Sequence, residues 1–75
     1  MPKLPRISGR KLERALRRAG FVRIRTVGDH VTMYNAETGR TATTLDTAKD
    51  VPVATIASAL RQAGLSNEDL IRLLK

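Results

Sequence analysis

The chain contains no cysteine and only one histidine. The first absence excludes a disulfide scaffold and every thiolate metal site. The second leaves an ordinary zinc site short of ligands unless Asp or Glu fill the remaining positions, so no metal site is expected. No stretch approaches the ~18 consecutive apolar residues of a membrane span. The N-terminus, MPKLPRIS, is basic but lacks an apolar core, so a secretory signal is not expected and a cytoplasmic location is. Repeats and low-complexity tracts are absent too. The length, 75 residues, holds one domain at most. A domain of this size buries only ~60% of the surface its unfolded chain exposes. That excludes a Rossmann fold, a TIM barrel or a P-loop enzyme, and leaves no internal cavity for a cofactor, so none is expected.

What the chain does have is positive charge. Fourteen Lys and Arg oppose seven Asp and Glu, for a net charge of +7. The excess is local. Residues 1–26 carry nine basic groups against one acid, Glu13, whereas residues 27–75 carry five basic groups against six acids. A concentrated basic field attracts polyanions, of which nucleic acid is the commonest. Ten of the fourteen are Arg, whose planar fork suits phosphate better than an ammonium does. Arg10, Arg14, Arg17, Arg18, Arg23 and Arg25 are the candidate RNA contacts. The competing reading is a solubilising surface.

Residues 1–7, with Pro2 and Pro5, read as a loosely held basic arm, and residues 8–75 as the single domain. Ser8 is a candidate N-cap for a helix over 8–19. Leu12, Ala15, Leu16 and Ala19 form its apolar face, and Gly20 is placed to end it. Alternation over 21–27 predicts a strand, with Val22 and Ile24 facing the helices and Arg23 and Arg25 on the open face. Gly28-Asp29 is a two-residue hairpin turn. His30 to Asn35 is a second strand, with Val31 and Met33 inward and His30, Thr32 and Tyr34 outward. After the turn Ala36–Gly39 comes a third strand over 40–45. Pro52 opens another helix, whose stripe is Val53, Ile56, Ala57 and Leu60, and Gly64 ends it. Ser66 caps a short last helix, with Asp69 three residues on. The expected fold is α+β, in the order α-β-β-β-α-α. A three-stranded antiparallel sheet carries helices on one face, as in a double-stranded-RNA-binding domain.

His30 is the only side chain whose ordinary pKa lies near neutrality. Cleavage of RNA by its own 2′-hydroxyl needs a group to move that proton and cations to hold charge on the phosphorane. Histidine supplies the first and arginine the second, and no metal is required. Gly28 can supply positive φ in the turn and Asp29 can cap it. Tyr34 can stack on a base or simply pack. Lys49, before the second long helix, lies where backbone N–H groups can receive a phosphate. The bland alternative for His30 is a surface histidine at a strand start.

Several of these elements occur together in one family. Gly28-Asp29-His30, a hairpin, a loop reaching Lys49-Asp50-Val51-Pro52, then Thr55 and the run Leu60-Arg61-Gln62-Ala63-Gly64-Leu65-Ser66 resemble the HicA toxin family over residues 8–74. The resemblance implies a metal-independent mRNA interferase with His30 as its catalytic residue. Gly28, Asp29, Tyr34 and Lys49 would support the site, and a HicB antitoxin would be the protein partner. Many members carry a second histidine after the third strand; Asp46 holds that place here. Two functions follow from the same charge and fold: a ribonuclease toxin, and a non-catalytic RNA-binding module. The histidine after Gly28-Asp29 favours the first.

Overall fold

The computed structural model describes residues 4–75. Met1, Pro2 and Lys3 of the expected arm lie outside the described residues. Three helices and three strands follow in the order α1 (Gly9–Arg18), β1 (Val22–Val27), β2 (His30–Asn35), β3 (Arg40–Leu45), α2 (Val53–Ala63) and α3 (Asn67–Leu73). The strands form one antiparallel sheet in the order β1-β2-β3. This is the α+β architecture expected from the sequence.

The helix ends follow local chemistry. The Ser8 hydroxyl accepts the Lys11 backbone N–H at 3.1 Å and opens α1. Ser66 and Asp69 form a reciprocal capping box at the start of α3. Gly64 closes α2 at φ +73°, a left-handed conformation that costs a side-chain-bearing residue energy. Among the described residues no helix is long and apolar enough to cross a membrane.

The core lies between the sheet and the helices. Leu12 and Leu16 of α1, Val31 and Met33 of β2, Ala42 of β3, Ile56 of α2 and Leu70 of α3 are fully buried there. Three sequence expectations need correction. The first concerns β1. Val22 and Ile24, expected to face the helices, are 57% and 58% exposed. Phe21 is buried instead, and burying a side chain that large stabilises by roughly 1.5–3 kcal/mol. Arg23 pairs with buried Met33 and therefore points to the helix side. A bulge at Ile24 then shifts the register, so that Arg25 pairs with Thr32 and points to the open face. Simple alternation had placed both arginines together.

The second concerns α2. Its buried stripe is Ile56, Ala59, Leu60 and Ala63. Val53 is 48% exposed, so the stripe is rotated from the expected one. The third concerns the arm. Over its described part, 4–7, it is anchored rather than loose. Leu4 packs against the core, Ile7 is buried within it, and the Ile7 carbonyl accepts the Val51 N–H at 3.0 Å.

Candidate active site

His30 owes its place to the hairpin. Gly28 takes φ +59°, which turns the chain directly into β2. The Asp29 carbonyl accepts the Asp46 backbone N–H at 2.7 Å, tying the end of β3 to the turn. His30 opens β2 between Val27 and Leu45 in the register. It is exposed, and among the described residues its imidazole has no hydrogen-bond partner. One of its sides forms the end of a cleft of about 340 Å³ between the free edge of β3 and α2. Thr43, Thr55, Ser58 and Gln62 line the remainder. The Gln62 Oε1 accepts the Thr43 backbone N–H at 2.9 Å, satisfying a donor that an edge strand would leave open.

The other candidate residues are dispersed. Thr32 and Tyr34 alternate with His30 on the open face, and Arg25 shares that face through its pairing with Thr32. Lys49 is exposed but does not line the cleft. Its loop crosses the start of α1 instead, where the Lys49 carbonyl accepts the Gly9 N–H at 3.3 Å. The Asp29 carboxylate makes no hydrogen bond among the described residues. The Asp46 carboxylate makes no hydrogen bond to the imidazole among the described residues; Arg10 lies 3.2 Å and Arg23 3.8 Å from it.

The expected RNA contacts divide into held and free. Glu13, buried on α1, receives Arg23 at 2.6 Å and Arg17 at 2.8 Å. Arg18 donates to the Leu73 and Lys75 carbonyls at 2.7 and 3.1 Å. Arg10 is engaged by Asp46. Among the described residues Arg14 and Arg25 have no internal partner. Sequence reasoning counted Glu13 only as an isolated acid in a basic half. Its spacing of four from Arg17 and its place beside Leu12 and Leu16 were signals that it organises the arginines around it. Gln62 stood out only as a member of the Leu60–Ser66 run and carried no physical signal of its contact, since a polar residue on a helix is usually solvated.

Burial pushes the Glu13 carboxyl up, but the hydrogen bonds from Arg23 and Arg17 outweigh it, and the net shift is downward. A lowered native pKa adds stability that is fully present above the ordinary glutamate range. That stability disappears as the pH falls through the native value. Glu13→Gln is therefore expected to lose ~1–3 kcal/mol near neutrality, because two guanidinium groups lose their acceptor charge. The difference from wild type should be smaller at about pH 3 than at about pH 7, because wild type begins to lose the same charge as the pH falls toward the lowered native value. Urea denaturation at both pH values checks this; an equal gap at both would show that the carboxylate charge is not the source.

A comparison with curated proteins finds no match. A family model, described as the HicA toxin of bacterial toxin–antitoxin systems, matches residues 9–65. That span takes in α1, the entire sheet, α2, the Gly28-Asp29-His30 turn and the cleft beside it, and the protein thus belongs to the HicA toxin family.

Proposed function

We propose that this toxin is an mRNA interferase, a metal-independent endoribonuclease in which His30 moves a proton. The observation that carries this reading is the exposed, unpartnered imidazole at the end of a cleft that also holds hydroxyl and amide side chains, on a chain whose first 26 residues are strongly basic. His30 takes the proton from a 2′-hydroxyl, the P–O2′ bond forms, and the P–O5′ bond breaks. The 5′ oxygen leaves with a proton supplied by water. Arg25, unpaired and on the same sheet face, is placed to hold phosphate charge as it develops. Arg14, Arg17 and Arg18 on α1 extend the field for the remaining strand. The HicB-type antitoxin that the family implies would meet the open face, where Val22, Ile24 and Val27 are exposed beside Arg25 and His30.

The test is purified protein with single-stranded RNA in EDTA. Fragments ending in 2′,3′-cyclic phosphate and 5′-hydroxyl are expected. Binding should weaken with salt, log K falling by about 0.7 per unit log salt for each phosphate neutralised. Arg14→Ala and Arg25→Ala should each reduce that slope by about one phosphate. Tight, salt-dependent binding that leaves the RNA intact would point to the non-catalytic RNA-binding module.

A further inference from the structure

The cleft beside His30 contains groups that proton transfer does not use. Thr44 lines it, is 1% exposed, and its Oγ1 is the one fully buried side-chain polar atom among the described residues that lacks a hydrogen-bond partner. Buried hydroxyls are nearly always satisfied, so this one stands out beside the cleft. Across from the strand, Gln62 has a fixed orientation. A backbone N–H can only donate, so the Thr43 contact must use the amide oxygen. That leaves both Nε2 hydrogens uncommitted. The Thr55 and Ser58 hydroxyls likewise have no side-chain hydrogen bond among the described residues.

Apart from His30, every group lining the cleft is uncharged. The arginines lie on α1 and on the open face, so the cleft is poorly suited to a phosphate and well suited to a neutral polar group. Its volume of about 340 Å³ is at the small end of the ~300–1,000 Å³ of ligand pockets. One nucleoside fits that range; a longer segment does not. Resting on the ribonuclease reading above, we infer that this cleft seats the base and ribose of one nucleotide flanking the scissile phosphate, with Gln62 setting which base is accepted. A fixed amide donor pairs with a carbonyl oxygen. Guanine and uracil present one on the edge a side chain reads, whereas the glutamine pairing with adenine needs the amide oxygen to accept from N6 while Nε2 donates to N7, and here Thr43 already holds that oxygen. The pocket is selective for keto bases over adenine.

Two measurements test this. In the first, cut sites are mapped on a mixed-sequence RNA for wild type and for Gln62→Glu, with circular dichroism confirming the fold. The carboxylate still accepts the Thr43 N–H, so the strand edge stays satisfied, but the donors become acceptors. Keto preference next to the cut should fall about tenfold, a typical value for one lost base-reading pair. A purely structural Gln62 would change stability and leave the base pattern alone. In the second, guanosine 3′-monophosphate and adenosine 3′-monophosphate are titrated into the non-cleaving His30→Ala protein and amide NMR shifts are followed. Shifts at Thr43, Thr44, Ser58 and Gln62, larger for the guanosine nucleotide, are expected. An unchanged cut pattern in folded Gln62→Glu overturns the pocket assignment while leaving the ribonuclease standing, and so do shifts confined to α1. If wild type fails to cut RNA at all, the ribonuclease reading falls, and the nucleotide titration alone decides the pocket.

Discussion

His30→Ala is expected to lower RNA cleavage by ~10²–10⁴-fold, the range for loss of a positioned proton-transfer group. Stability and RNA affinity should barely change. The imidazole is exposed at the first position of β2 and makes no hydrogen bond among the described residues. Surface substitutions of that kind stay within about ±0.5 kcal/mol. Affinity rests on arginines that the substitution leaves in place. Asp46→Ala should cost less cleavage than His30→Ala, for a structural reason. The Asp46 carboxylate pairs with Arg10 and Arg23 and makes no hydrogen bond to the imidazole among the described residues, so it does not orient the ring. Cleavage and binding measured together on folded His30→Ala decide the matter. Wild-type cleavage by the variant would remove the catalytic assignment and favour the RNA-binding module.

The sequence was most legible where chemistry is local. Ser8, Gly20, Pro52, Gly64 and the Ser66–Asp69 pair mark helix ends through groups within a few residues of one another, and the structure places the ends there. The hairpin at Gly28-Asp29 and the outward face of β2 were equally readable, since both depend on short spacing. Legibility failed where a distant partner decides. Strict alternation gave β1 the wrong phase because it gave Phe21 no more weight than Val22, and because no local signal announces the bulge at Ile24. The arginines read as one field of six. Glu13, Asp46 and the end of α3 bind four of them, and this emerges only once α1, β1 and the C-terminus are folded together. Of the candidate site, the histidine was found from its turn. The cleft that gives it a context is built by α2, more than twenty residues away, and Gln62 contributes through a contact across 19 positions.

The same long-range logic makes Gly9 a sensitive position in the fold. Alanine at an exposed helical glycine usually stabilises by roughly 0.5–1 kcal/mol. At Gly9, the first residue of α1, the opposite is expected. A Cβ there would lie 2.0 Å from the Leu45 carbonyl oxygen and 2.9 Å from the Thr47 Cγ2. The strand end cannot retreat, since Leu45 pairs with His30 and Asp46 is bonded to the Asp29 carbonyl. Nor is the helix free to move, because Gly9 and Arg10 donate to the Lys49 and Thr47 carbonyls at 3.3 and 3.0 Å. Backbone overlap with both sides pinned is a severe form of overpacking, and a loss of ~3 kcal/mol is expected for Gly9→Ala. A chain of 75 residues has only ~4–11 kcal/mol to lose. Tm should fall by ~12–24 °C in a thermal melt followed by circular dichroism. Leu45 lines the cleft beside His30, so any strain the folded variant absorbs is delivered to the site. Cleavage should therefore drop even at temperatures where Gly9→Ala remains folded. A Tm equal to that of wild type would mean that α1 can slide away from the end of β3, and that the close approach does not fix the helix against the sheet.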